Sequence, residues 1–198
     1  WAIIISILLN VKIIVRSNSS SEIWAKNCIK RKIFSFFLKY ANNIIVNSNE
    51  LKIEFKKKFN INSDLIYNPL NKKEIIEKSN KKSHKKIFLS TKKVLKIINI
   101  GRITEQKNQI LILEAIKLLK DNFKLEVIII GNGKLKKKLL DFIVLNNLEK
   151  IVKIKDFKKN PYQAIKEADL FILSSIYEGL PNVLLEAIVL RKPIISSD

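Results

Sequence analysis

Two rhythms of apolar residues alternate along this chain of 198 residues. Short, nearly unbroken apolar runs at 94–100, 125–130, 151–157, 170–173 and 193–196 predict strands buried on both faces. Between them, apolar positions three and four apart predict helices at 108–121, 135–146, 162–168 and 181–190, with Asn108 as the expected cap of the first. The earlier part of the chain has the same vocabulary in weaker form. Residues 1–9 predict the tail of a buried helix and residues 12–15 a buried strand. Residues 21–40 predict one or two amphipathic basic helices, with Trp24, Cys28, Phe34, Phe37 and Leu38 among lysines and arginines. A strand at 43–47 follows, then a helix at 49–58 capped by Ser48, with Leu51, Ile53 and Phe55 partly inward. A strand at 63–67 is closed by Asn68 and Pro69. Strands alternating with helices mean parallel sheets covered by helices, an α/β architecture.

The rhythm breaks at residues 71–93, where lysine, serine and asparagine dominate. This shift predicts a first domain at 1–70, a charged linker at 71–93 and a second domain at 94–198. The single histidine, His84, falls in the lysine run and is expected to be inert.

Composition changes the picture in one respect. The formal charge is +20, with a pI near 10, and all but four of the basic residues are lysine. Such a surface attracts nucleic acid, an anionic membrane face or a phosphorylated small molecule. Sequence-specific nucleic-acid readers lean on bidentate arginine, and aromatic residues are not interleaved with the lysine run, so the first of these is disfavoured. The lysines, isoleucines and asparagines together also fit a bias towards A/T-rich codons. Cys28 is the only cysteine, which excludes an internal disulfide and fits a reducing compartment. The first apolar stretch, 1–15, is interrupted by Asn10 and Lys12 and is too short to span a bilayer. The chain starts at Trp1, contains no methionine and stops at Asp198 on a predicted strand, so a fragment is expected.

Three predicted strand ends in the second half carry chemistry, and open parallel sheets bind ligands at that edge. After the first strand comes Gly101-Arg102-Ile103-Thr104-Glu105-Gln106-Lys107. Arginine supplies a fork and lysine a mobile charge, a pair suited to a diphosphate, and Gly101 permits close backbone approach. After the second comes Gly131-Asn132-Gly133, which begins like a dinucleotide fingerprint but has Lys136 where the third glycine belongs. A hydride-transfer domain is therefore disfavoured. The third is Ser174 to Ala187, where Glu178 and Glu186 are separated by seven residues and Gly179, Leu180 and Pro181 lead into a helix. Proline suits a first helical position, and the first-turn N–H groups of Asn182 and Val183 are expected to face a phosphate.

These motifs in this order closely resemble the C-terminal domain of retaining glycosyltransferases of the GT-B fold, the group called family 4 or glycosyl transferases group 1. The resemblance is strong from about residue 96 to 198, and Ala168-Asp169-Leu170-Phe171 belongs to it. It is looser in the first half, through Ile44-Ile45-Val46-Asn47-Ser48 and Ile66-Tyr67-Asn68-Pro69, which look like the last parts of the family's acceptor-side domain. It implies two Rossmann-like parallel-sheet domains, both incomplete in this chain. It further implies transfer of a sugar from a nucleotide sugar, a UDP-sugar rather than a GDP-sugar, to a lipid-linked or polysaccharide acceptor in cell-envelope glycan synthesis. Arg102 and Lys107 match the pair that holds the donor diphosphate and stabilises the departing nucleotide. Glu186 matches the acid on the nucleotide ribose, and Glu178 the acid beside the donor sugar. The amides of Asn182 and Val183 match those that grip phosphate, and Gly101, Gly131, Gly133, Gly179 and Leu180 complete the implied donor site. Neither a metal nor another cofactor is implied. The enzyme is expected in the cytoplasm, peripheral on the inner face of the membrane.

The fit fails in one place. The family often has a histidine near the reacting sugar, and the candidate loop at 16–21 has none. The chain by itself is accordingly expected to be inactive. A nucleotide-sugar epimerase of the same fold and a basic nucleic-acid-binding protein with a Rossmann-like sheet remain as alternatives.

Overall fold

A computed structural model describes residues 2–21, 27–81, 87–90, 93–157 and 160–197. Expectations for Trp24, His84 and most of the lysine run around it lie outside the described residues. The chain divides into two compact units, Trp1–Pro69 with Tyr177–Pro181, and Leu70–Ile176 with Asn182–Asp198.

The first unit runs α1 (Ala2–Leu8), β1 (Ile14–Ser17), α2 (Cys28–Leu38), β2 (Asn43–Val46), α3 (Asn49–Phe59) and β3 (Asp64–Leu65). Its strands form a parallel sheet in the order β1-β2-β3. Helix α3 starts where Ser48 accepts the Leu51 N–H, and α2 starts where Asn27 accepts that of Lys30. Leu38, Ile44, Val46, Leu51, Phe55 and Phe59 make the core. Ile53, expected partly inward, faces outward, as do Cys28 and Phe34. Helix α1 and strand β1 are not buried as the apolar pattern predicts. Leu8 is 77% exposed and Ile14 62% exposed, because α1 turns only Ser6 fully inward and β1 is an edge strand.

The second unit runs α4 (Lys72–Asn80), β4 (Leu95–Ile100), α5 (Gln109–Leu119), β5 (Leu125–Ile130), α6 (Lys136–Leu145), β6 (Val152–Lys155), α7 (Tyr162–Glu167), β7 (Leu170–Leu173), α8 (Asn182–Val189) and β8 (Ile194–Ser196). All strands are parallel, in the order β6-β5-β4-β7-β8. Period-two alternation sends Ile98, Ile100, Ile128, Ile130, Phe171 and Leu173 to one face, where α7 and α8 pack. Ile97, Val127 and Ile129 go to the other face, against Leu113 and Ile116 of α5 and Leu139 and Ile143 of α6. Every residue of β5 is buried, which explains its unbroken apolar run.

Two local expectations are corrected. Asn108 precedes α5, but its backbone is left-handed at φ 46° and its side chain makes no capping bond. Asparagine tolerates this conformation better than most residues, and an N-cap that accepts a first-turn N–H ordinarily has extended backbone instead. The charged linker at 71–93 contains helix α4, capped by Asn71 on the Glu74 N–H and packed against α7 and α8. Five charged residues in nine hide its apolar stripe, but Ile75 is 4% exposed. Glu126, at 5% exposure, ties the following segment down by accepting the N–H groups of Leu89 (2.7 Å) and Ser90 (2.9 Å).

Because α4 is packed, Ile75→Ala should cost about 2–5 kcal/mol in denaturant unfolding. A solvated linker would give no measurable change in the same titration.

Candidate functional site

In the second unit the sheet order puts β4 between β5 and β7, so the chain leaves β4 at the point where strand order reverses. That is where open parallel sheets place ligands. The loop after β4 is held on both sides. Towards β5, Gly101 donates its N–H to Ile130 O (3.0 Å), Ile103 donates to Asn132 O (2.9 Å) and Leu135 donates to Ile103 O (3.3 Å). Towards β7, Ile176 donates its N–H to Gln106 O and the Ser174 hydroxyl to Lys107 O, each at 2.8 Å. Gln109 Nε2 donates to Arg102 O at 3.0 Å, which fixes the backbone under the exposed guanidinium. The expected meeting of the loops after β4 and β5 with the end of β7 is therefore met by named hydrogen bonds.

The glycines in this arrangement differ in what they do. A β-carbon on Gly131 would lie 1.9 Å from Gly101 O, and one on Gly133 would lie 2.1 Å from Ile103 O. Both are excluded by the backbone of the β4 loop. Gly101, where close backbone approach was expected, has room for a β-carbon: its nearest neighbour is Lys107 Cδ at 3.5 Å. The Lys107 stem thus lies alongside Gly101.

Helix α8 starts at Asn182, directly after Pro181, one residue later than the sequence pattern predicts. Glu186 sits half-buried on this helix and accepts the Tyr162 hydroxyl of α7 at 3.4 Å. Burial pushes the Glu186 carboxyl above its ordinary pKa, and the Tyr162 hydroxyl partly opposes this. Tyr162 was not singled out by sequence reasoning beyond its place at a helix start. A tyrosine after a proline is no signal by itself, and its partner lies 24 residues further on.

Glu178, Gly179 and Leu180 belong to the segment that groups with the first unit. There Leu180 O accepts from Asn68 Nδ2 (3.1 Å), and Asn68 Oδ1 accepts from Arg16 at 2.8 Å. A β-carbon on Gly179 would lie 2.6 Å from Asn47 Oδ1 and 2.7 Å from Asn18 O. Gly179 is therefore required by packing, and Asn68, which the sequence pattern marked only as a strand end and as part of the looser family resemblance, holds the same segment. Arg102, Lys107, Gly131, Gly133, Asn182, Val183 and Glu186 all lie in the second unit.

The sheet thus leaves the loops after β4 and β5 and the end of β7 together at the switch point, the edge where open α/β sheets bind ligands. Residues 72–198 match the family model for glycosyl transferases group 1, and the chain belongs to that family. An uncharacterized glycosyltransferase of Methanocaldococcus jannaschii is 32% identical over all of this chain and 52% of its own length. The N-acetylgalactosamine-N,N'-diacetylbacillosaminyl-diphospho-undecaprenol 4-alpha-N-acetylgalactosaminyltransferase of Campylobacter jejuni is 29% identical over 86% of this chain and 45% of its own. The chain spans about half the length of these relatives. In fold it resembles the HepE protein of Anabaena, solved with UDP-glucose, at a TM-score of 0.77, 17% identity and coverage of 98% of this chain and 56% of that one. The fold is GT-B.

The glycine geometry separates two substitutions. Gly131→Ala should destabilise by roughly 3 kcal/mol or more, because backbone cannot rotate away from the added methyl. Gly101→Ala should stay within about 1 kcal/mol of the parent in thermal unfolding.

Proposed function

We propose that the protein is a retaining hexosyltransferase, moving a sugar from a nucleotide sugar, a UDP-sugar, to a lipid-linked or polysaccharide acceptor in cell-envelope glycan assembly. The observation that carries this reading is the β4 loop with Arg102 and Lys107, bonded on one side to the β5 loop and on the other to the strand that leads to Glu186. The family membership and the printed activity of the Campylobacter relative support the reaction class and a lipid-linked acceptor.

In this reading the bond between the sugar's anomeric carbon and the diphosphate oxygen breaks, and a bond to the acceptor oxygen forms on the same face. The acceptor's proton leaves with the diphosphate. Negative charge then grows on the leaving nucleoside diphosphate, so stabilising that charge is the main catalytic task. Arg102 offers a fork of donors and Lys107 a mobile charge, while the α8 amides at Asn182 and Val183 add the positive end of a helix. Glu186 accepts from the ribose hydroxyls. Within the second unit Gly101, Gly131 and Gly133 shape the donor site. No step is assigned to a metal.

The first unit supports a location on an anionic membrane face. Helix α2 exposes Ile29, Ile33 and Phe36 beside Lys30 and Lys32, with Lys39 just after it. Residues 1–49 hold one acidic residue, Glu22, against five lysines and two arginines. Apolar side chains entering the acyl boundary while lysines meet anionic headgroups give binding of this kind. Among the described residues no helix is long and apolar enough to cross a membrane.

Calorimetry with UDP and uridine tests the site. Arg102→Ala and Lys107→Ala should each weaken UDP about ten-fold or more while leaving uridine little changed, since charge-assisted bonds are the strong ones. Glu186→Ala should weaken both ligands. Equal binding of UDP by parent and Glu186→Ala would remove the ribose assignment. For the membrane reading, co-sedimentation with phosphatidylglycerol vesicles should exceed that with phosphatidylcholine vesicles and fall for Phe36→Glu. Indifference to lipid charge would end it.

A further inference from the structure

Glu186 is set in a chain of contacts that begins on α4. Asn160 donates through Nδ2 to Lys78 O at 3.1 Å, which ties the turn before α7 to the last turn of α4. The same asparagine accepts the Tyr162 N–H through Oδ1 at 3.2 Å. Tyr162 packs on the sheet core, as Val183 and Leu184 of α8 do, and its hydroxyl reaches Glu186 Oε1 at 3.4 Å. A ring held by the core and a backbone held by Asn160 leave the phenol little freedom. The carboxylate it touches is thereby given one orientation, and a carboxylate has acceptor capacity well beyond one bond.

We infer that Tyr162 is a positioning residue for nucleoside recognition, aiming the Glu186 carboxylate at the ribose hydroxyls through its own hydroxyl. This rests on the reading of Glu186 as the ribose acid. Among the described residues, the charged and titratable groups that act on the pair come from two helices. From α7 there is Tyr162 itself, and from α4 there are Lys78 and Glu74, which act on the Tyr162 phenol with opposite signs. Strand β8 contributes Ile194, Ile195 and Ser196, none of them titratable.

The pair has a pH signature. Burial raises the Glu186 pKa and the phenol lowers it, so loss of the phenol leaves burial unopposed. A ribose hydroxyl donates to the ionised carboxylate, so affinity is full above the Glu186 pKa and declines as pH falls through it. In Tyr162→Phe that decline should begin at a higher pH than in the parent.

The experiment follows UDP binding by calorimetry across pH 4.5–8 for the parent, Tyr162→Phe, Glu186→Ala and Glu186→Gln, with the Glu186 side-chain carboxyl followed by ¹³C NMR. The glutamine variant removes the carboxylate and so records the titration of UDP's own phosphate. Tyr162→Phe should bind UDP about 3- to 10-fold more weakly at neutral pH, and its Glu186 midpoint should move up. An unmoved midpoint or an unchanged UDP affinity overturns the inference. If Glu186→Ala binds UDP like the parent, the ribose reading itself fails. If that variant is weakened while Tyr162→Phe matches the parent, the positioning role alone fails. A circular-dichroism melt of Tyr162→Phe within a few degrees of the parent shows that the fold is intact in the comparison.

Discussion

The exclusion of a β-carbon at Gly131 and Gly133 is the constraint on which the second unit's functional edge depends. Backbone meets backbone there: Gly101 O and Ile103 O occupy the space where side chains would start. That contact lets the β4 loop lie flat on the β5 loop and make its three inter-loop hydrogen bonds. With the loop pinned on that side, the other side can receive Ser174 and Ile176 from the end of β7. Arg102 and Lys107 are thus presented from a loop bonded at both flanks. Preorganised cations are worth more to a developing charge than mobile ones, because no reorganisation is needed as the charge appears. The glycine pair therefore acts on where the loop's two cations are placed, through backbone contact with that loop.

Much of this was legible in the sequence. The runs at 95–100 and 125–130 are apolar on both faces, and only a doubly covered parallel sheet uses such strands. The spacing of Glu178 and Glu186 around Gly179 and Pro181 marked the helix start within one residue. What failed to show has physical reasons. Helix α4 hid because a nine-residue helix with one strongly buried aliphatic, Ile75, is outvoted by its lysines in any composition window. Its stability comes from packing on α7 and α8, and no local propensity reports tertiary packing. Asn108 misled for the opposite reason: asparagine suits both a cap and a left-handed turn, and the sequence does not say which. The roles of the glycines were half legible. Their presence signalled close approach, but what approaches at Gly131 and Gly133 is the neighbouring loop, and Gly101 has space to spare.

Three carboxylates show why burial alone does not identify a site acid. Glu54, Glu126 and Glu186 are each withdrawn from solvent, and in each desolvation is the largest influence and acts to raise the pKa. In Glu54, bonds from Ser21 and Lys58 reverse it, and in Glu126 the N–H groups of Leu89 and Ser90 do so. Both therefore end below the ordinary value, with their acceptor capacity used to hold the chain's own segments in place. Glu186 ends above it, because among the described residues a single phenol opposes burial. An acid left with unused lone pairs in a partly dry environment pays a desolvation cost that folding alone does not recover. A ligand bearing hydroxyl donors recovers it. On this ground Glu126, although the most deeply buried of the three by exposed surface, is a structural residue, whereas the single opposing bond at Glu186 supports the ribose role proposed for it.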